Sequence, residues 1–463
     1  MNILSSVEID ELLRNRDERM HIVDVATEVR KKQLKAKTPE EFDAISIPRI
    51  FPFNYQEVFV ERTSSRNMPE FAQDVMMDMF CRGLAMQREE GSVYARYGNL
   101  GAVGVIDLYR GELMDYGSQC TSTLGRYIKV RNKDDEFTSK AVDFFIEQMR
   151  IYCFCEFLSI FKQVSDFQIA TPLRHIIAQH YGLKTQFLDL TDDLKVALFF
   201  ACCKHIGNNK YRPITKDDLA DLGNYGVLYH GLKSNREHMI GYQPFTRCHN
   251  QRGYYIDTSS ERPCWDFELT STSFTKSLFE RTPELSRKLY DEFNGGKDLF
   301  PEDSLFSQSE TIDGLMKNNK FPRRVFDKCV EILNNYLKEY ERNNLLESHN
   351  DEKTANKMDA AFLEKAVSKK GIIIVDDGVL IPMSRESIDA LESCNRQWDI
   401  NKFIEREGII TWGRGVIPSD NGGFWLSRTP GGGVFTTQEE QDKTSRAVSL
   451  SPNQKQMMDS LKD

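Results

Sequence analysis

Between Phe137 and Val164 the chain is apolar on nearly every helical face. Phe144, Phe145, Met149, Tyr152, Phe154, Phe157, Ile160 and Phe161 leave no polar stripe to turn toward water. A helix of that kind is stable only when other elements surround it, so this segment must run through the middle of a domain. The elements that follow can wrap it. Pro172 opens another helix that stops at Gly182. Gln186 to Leu190 reads as a strand, and Thr191 or Asp192 can cap a helix through Lys195, Val196, Ala197, Phe199 and Phe200. After a polar loop at 206–224, strand-like runs appear at 225–230, 253–257 and 265–270, and helices at 277–294 and 311–345. Helices first and antiparallel-looking strands later predict an α+β fold, with a mixed or antiparallel sheet under packed helices.

Length bounds the rest. The chain has 463 residues, enough for about three domains of ordinary size. We expect a helical accessory region at 1–60, a central domain at 61–320, a helical connector and linker at 321–357, a small α/β module at 358–428 and a polar, mobile tail at 429–463. In the first region Ser5 to Arg14 and the basic segment Val23 to Lys37 read as helices, with Ser5 or Ser6 as N-caps. Phe71 to Arg88 reads as another helix, and Val103 to Tyr109 as a buried strand. The C-terminal module is expected to hold strands at 371–375, 379–381 and 409–412, with helices at 384–393 and 399–406.

With 61 Lys and Arg against 70 Asp and Glu, the net charge is −9, which argues against a general nucleic-acid binder. Charges crowd the first twenty residues, and the longest apolar run, Val196 to Cys203, is too short to cross a bilayer. None of the ten cysteines stands in a CxxC pair. A cytoplasmic protein with reduced thiols and no membrane partner is the expectation.

Two motifs carry chemistry. Tyr109-Arg110-Gly111 closes the strand at 103–109 and is followed by Ser122-Thr123-Leu124-Gly125-Arg126. Further on, Gln179-His180-Tyr181-Gly182-Leu183-Lys184-Thr185-Gln186-Phe187-Leu188-Asp189-Leu190-Thr191 runs into Val196-Ala197-Leu198-Phe199-Phe200-Ala201. Together they resemble the FRG domain, a family named for an aromatic-Arg-Gly motif, whose signature includes a QHYG…LLDxT segment and a VALxFA helix. Arg247 to Tyr255 resembles the family's later QQGxF segment, and Leu299-Phe300-Pro301-Glu302 its closing LFPD. The resemblance spans about 95–320. Lys184, Gln186, Leu190 and Arg252 depart from the family pattern, standing for proline, arginine, tryptophan and glutamine.

The motif residues suit a phosphate-bearing ligand. Arg110 offers a bidentate fork, Gly111 permits close approach, and Asp189 and Thr191 sit just before a helix N-terminus, which favours anions. That arrangement is similar to ADP-ribosyltransferases, where one strand carries an Arg or His that grips NAD and a second runs into a helix. The resemblance implies NAD as cofactor or substrate, with Arg110, Asp189, Thr191 and Gln251 as candidate catalytic residues. Tyr109, Gly111, His180 and Tyr181 would bind the nucleotide. Cleavage of the nicotinamide–ribose bond through an oxocarbenium-like state needs a carboxylate nearby. The position of the transferases' late glutamate falls near Gln251, so Asp189, Asp257, Glu261 or Glu268 would have to substitute. A second registration places Ser271-Thr272-Ser273 between Arg110 and Glu302. The setting this suggests is a toxin-like effector in bacterial or phage defence, with a macromolecular acceptor or an antitoxin-like protein as partner. The alternative is a non-catalytic ligand- or protein-binding module.

Each residue also has a plainer reading. Arg110 can pair with Asp189 to hold two strands together, His180 can be a core histidine, and Tyr181 can simply pack. Gly98, Gly101 and Gly104 come before a strand, not after one, so they form no dinucleotide fingerprint. Gly295-Gly296-Lys297 lacks the Ser/Thr of a P-loop, and no G-x-S-x-G marks a hydrolase. His175 and His180 stand five apart, off the spacing that places two zinc ligands on one helix face, and no metal is expected.

Overall fold

The computed structural model describes, apart from short internal stretches, residues 2–17, 107–342 and 355–402. It also describes segments at 85–87, 93–96, 409–412, 416–418, 424–429 and 432–436. The chain divides into two compact units, one of residues 1–19, 82–89 and 104–403, the other of 20–81, 90–103 and 404–463.

The first unit is built on a seven-stranded sheet. Its strands are β1 (Asn2–Leu4), β2 (Asp107–Glu112), β3 (Phe187–Thr191), β4 (Tyr225–Leu232), β5 (Glu237–Met239), β6 (Gly253–Asp257) and β7 (Phe274–Glu280), in the order β1-β7-β4-β2-β3-β6-β5. Only β1 and β7 run parallel; every other neighbouring pair is antiparallel. The expected α+β class with a mixed sheet is what the chain adopts. The central strand β2 pairs with β4 along its whole length, from Asp107↔Leu232 to Glu112↔Val227. With β3 it pairs only at Tyr109↔Thr191. Beyond that point β2 and β3 splay apart.

The helices of eight or more residues among the described residues are α1 (residues 6–17), α2 (Thr123–Arg131), α3 (Phe137–Leu158), α4 (Thr171–His180), α5 (Leu194–Cys202), α6 (Pro283–Glu292), α7 (Ser309–Met316), α8 (Arg323–Arg342), α9 (Ala360–Lys369) and α10 (Arg385–Gln397). One sheet face is covered by α5 with α1 and α6: Leu194, Ala197, Leu198, Ala201 and Cys202 pack with Ile9, Leu13 and Leu289 onto Tyr109, Leu228 and Phe279. The apolar helix α3 is buried as expected. Its Phe144 meets Trp265, Phe267 and Tyr336, and Phe145 meets Phe326 of α8. A short strand, Lys320–Pro322, leads into α8 and pairs in parallel with Ile373–Val375 beyond α9.

Several expectations are corrected. Residues 206–224 are not all loop: Tyr211–Pro213 pairs with Cys203–His205, and Lys216–Leu222 is a helix closed by a Thr215/Asp218 capping box. Residues 265–270 do not form a strand. Trp265 and Phe267 take left-handed backbone angles (φ 75° and 47°) that bury both rings, leaving one bridge, Thr121↔Glu268. The helix expected from residue 277 starts later, because β7 runs to Glu280 and Thr282 then caps α6 with Pro283 in its first turn. The helix expected over 311–345 is split at 317–322 by the turn and strand before α8. Residues 85–87 are a strand, not the end of a helix; Gly83 already interrupts the helical pattern there.

In the second unit Val93–Arg96 pairs antiparallel with Ile409–Trp412. Val416–Pro418, Phe424–Thr429 and Gly432–Thr436 form an antiparallel meander. Residues 432–436 of the expected mobile tail therefore form a strand. The helices expected over 23–37 and 71–84 and the linker at 343–354 lie outside the described residues.

Candidate functional site

Side chains alternate along a strand, so Tyr109 and Gly111 share one face of β2 while Arg110 and Glu112 share the other. Tyr109 is buried and stacks on His230 of β4, with ring centroids 5.0 Å apart. Gly111 has a specific steric cause. A Cβ there would stand 1.8 Å from the backbone oxygen of Ala197. What this glycine admits is α5, where the sequence suggested a ligand.

Arg110 fills the gap where β2 and β3 splay. Its Nη1 donates to the Asp189 carbonyl at 2.8 Å, satisfying a strand oxygen that β2 does not reach. Its Nε donates to Glu112 Oε1 at 3.2 Å. The expected partner was the Asp189 carboxylate; the ion pair is made with Glu112 instead, because strand alternation puts Glu112 on the same face. The Arg110 side chain keeps 16% exposure, and Glu112 is buried. Burial opposes the guanidinium charge, but Cys120, Glu112 and Asp189 more than offset it and hold Arg110 above the usual arginine range. Burial pushes the Cys120 thiol up to about 12, so it is a neutral donor to Glu112 at 3.6 Å.

Glu112 also gathers the second motif fragment. Ser122 caps α2 by accepting from the Gly125 amide at 3.1 Å, and this sets Arg126 one turn in. Arg126 Nη1 donates to the Thr121 carbonyl at 2.7 Å and lies 3.5 Å from Glu112 Oε1. Sequence reasoning missed Glu112, although its position two residues beyond Arg110 on a strand was the available signal.

On the far side of β3, His180 ends α4. Its buried Nε2 lies 3.4 Å from Asp189 Oδ1, and Gln251 hydrogen-bonds the ring. Burial depresses the His180 pKa, with Asp189 and Gln251 opposing and Arg247 reinforcing, so the imidazole is neutral. The Asp189 side chain remains 38% exposed. Tyr181 donates its hydroxyl to Asp303, and its ring carries the Arg247 guanidinium at 4.1 Å. Arg247 Nη1 donates to the His180 carbonyl at 2.5 Å. Thr191 Oγ1 donates to the Gln251 carbonyl at 2.8 Å, and Gln251 Nε2 to the Leu299 carbonyl at 3.1 Å. The QHYG, LDLT, RCHNQ and LFPE segments thus converge on His180. Arg247 and Asp303, which sequence reasoning did not single out, close that network.

The expectation of an anion site at the α5 N-terminus is overturned. Asp193, not Thr191 or Asp192, is the N-cap and accepts from the Lys195 amide at 2.9 Å. Arg16 of α1 donates through Nε to Asp193 at 2.8 Å, and Arg252 holds Asp192 through two bonds of 2.6 and 3.0 Å. Two carboxylates with their arginines already occupy the place a phosphate would take. Of the substitutes weighed for the late glutamate, Asp257 is raised by burial and accepts from the Ser259 amide. Glu268 accepts from Thr121 and Lys129, each at 3.3 Å, and Glu302 is exposed. Glu261 and Ser271 to Ser273 lie outside the described residues. Among the described residues no three His, Cys, Asp or Glu side chains gather as metal ligands, and no helix is long and apolar enough to cross a membrane.

The histidines of α4 set a pH dependence. Burial lowers His175 to about 4 and depresses His180. A histidine whose folded pKa lies below its unfolded value stabilises the fold fully above that unfolded value and loses the contribution as pH falls toward the folded one. For His175 the loss between about pH 7 and pH 5 is about 2 kcal/mol. Urea unfolding at the two pH values measures it, and equal stabilities would contradict burial of these rings.

Residues 107–210 match the family model of the FRG domain. No curated protein and no solved structure gives a match. The matched span runs from β2 through α4, β3 and α5 and holds the Arg110–Glu112–Arg126 cluster and the His180–Asp189 pair: over these residues the chain carries an FRG domain.

Proposed function

We propose that the FRG domain binds an NAD-type dinucleotide and breaks its nicotinamide–ribose bond, as an ADP-ribosyltransferase-like or NAD-hydrolysing enzyme. One observation carries this reading. Within a network of buried groups, the Asp189 carboxylate stays 38% exposed, with its inner oxygen 3.4 Å from His180 Nε2 and in no hydrogen bond. A carboxylate so placed, charged and open to solvent on one side, is suited to face a developing oxocarbenium ion. The C1′–N bond breaks with its electron pair leaving on the nicotinamide nitrogen. Water, or a hydroxyl of a macromolecular acceptor, forms the new C1′–O bond and gives up its proton to Asp189. Gln251 and Thr191 brace this strand end, and Arg110 ties β2 to β3 beside it. The same activity suits a toxin-like effector kept in check by an antitoxin-like protein.

Asp189→Asn keeps the size and removes the charge. We expect wild-type protein to release nicotinamide from NAD and the variant to release it about 100-fold more slowly, at an unchanged melting temperature. Chromatography of the free base measures it. Equal rates would sink the role of Asp189. A second reading, a non-catalytic binding module, is favoured by the commitment of Arg110 to Glu112 and the Asp189 carbonyl. It stands if the wild type neither releases nicotinamide nor binds NAD in calorimetry.

A further inference from the structure

The cation that a nucleotide's phosphates would meet is not the motif arginine of β2. Arg110 spends Nε on Glu112 and Nη1 on the Asp189 carbonyl and has only 16% of its side chain exposed. Arg126 differs on each point. Its side chain is 33% exposed, and its bonds among the described residues run through Nη1 alone, so Nε and Nη2 keep their donors. The flat guanidinium lies 5.2 Å from the ring centroid of Tyr116, a tyrosine 53% exposed. One turn along α2, Lys129 is 75% exposed.

The charges are layered. Among the described residues, the carboxylates that pair with these cations, Glu112 and Glu268, are at most 12% exposed, less than the cations that hold them. A ligand arriving from solvent meets Arg126 and Lys129 first. With Arg110 behind Glu112 and Asp189 also acting on Arg110, three cations meet three carboxylates among the described residues, and the two most exposed of those cations are Arg126 and Lys129. A planar fork beside an open aromatic face suits an anion joined to a ring: the fork takes phosphate oxygens and the tyrosine stacks a base.

We propose that Arg126, Tyr116 and Lys129 form the phosphate-and-base subsite of this domain, and that its ligand is a nucleoside diphosphate moiety. This deepens the reading above and rests on it for the identity of the ligand. It adds a subsite on α2 that the motif arginine Arg110 does not supply.

Calorimetry on the full chain with ADP and with inorganic pyrophosphate tests it. Tyr116→Ala should weaken ADP about tenfold and leave pyrophosphate unchanged, because only the base stacks. Lys129→Ala should weaken both probes, with a reduced salt dependence. Arg126→Lys, which keeps the charge but loses the fork, should weaken both about tenfold. A melting curve for each variant separates lost binding from lost fold. If the wild type binds ADP and the folded Tyr116→Ala and Lys129→Ala variants bind it equally well, the subsite is overturned while the function proposed for Asp189 stands. If the wild type binds neither probe, the subsite is likewise overturned, and nicotinamide release separately decides the fate of Asp189. Binding of a single-stranded oligonucleotide in preference to ADP would overturn the mononucleotide assignment.

Discussion

Gly111→Ala is expected to unfold the domain or to lower its melting temperature by about 10 °C, at about 3 kcal/mol and 2–4 °C per kcal/mol for a unit of this size. The added Cβ would sit 1.8 Å from the Ala197 oxygen and 2.7 Å from its carbon. Both are backbone atoms in the middle of α5, so no rotamer change relieves the clash. The helix must lift off the sheet, and with it the contacts of Leu194, Leu198 and Ala201 to Tyr109 and Leu228. Gly226→Ala is the control. Its Cβ would meet the ring of Phe279 at 2.7 Å, a side chain that can swing away in part. A thermal melt followed by circular dichroism should therefore rank Gly111→Ala well below Gly226→Ala. If the two melt alike, the close seat of α5 on β2 is wrong.

This glycine also shows what the sequence could and could not reveal. Its presence beside Arg110 was legible, and so was the fact that something approaches it; that the visitor is a helix and not a ligand needed the tertiary arrangement. Local signals were reliable where one residue decides one geometry. The turn at Gly182 with φ 102° and the apolar surround of α3 follow from short-range rules. The capping box at Thr215 and Asp218 was equally local, but it was hidden by reading 206–224 as polar loop.

The candidate site was legible as a set of residues and not as a set of pairs. Arg110 and Asp189 do meet, but through a carbonyl, because β2 and β3 part after one paired position. Arg247 and Asp303 owe their importance to partners 67 and 122 positions away along the chain. No spacing rule reaches that far. The family motif brought QHYG and LDLT to attention, while Arg247 and Asp303 fall outside the matched stretch and emerge only where the chain folds back onto α4.

Arg281→Ala is the second variant expected to be severe, at about 4 kcal/mol, the scale of removing one partner from a buried charge network. The Arg281 guanidinium is buried and, among the described residues, touches no carboxylate. Nη1 donates to the carbonyls of Leu113 and Ala201, and Nη2 to those of Leu222 and Gly223 at 3.1 and 2.7 Å. Two of these oxygens belong to helix ends, Ala201 of α5 and Leu222 of the helix over Lys216–Leu222, where partial negative charge accumulates. Those dipoles stand in for a counterion, and burial alone lowers the pKa of the side chain. Alanine takes the donor from four carbonyls at once, that of Ala201 fully buried. Arg281→Lys should recover little, since an ammonium cannot span the fork that joins four acceptors. Because Gly111 seats the middle of α5 and Arg281 ties down its end, the two sites report on one helix. A double-mutant cycle with Gly111→Ala should therefore fall short of additivity by about 1 kcal/mol. Full additivity in urea unfolding would mean that α5 is not the common element through which both losses act.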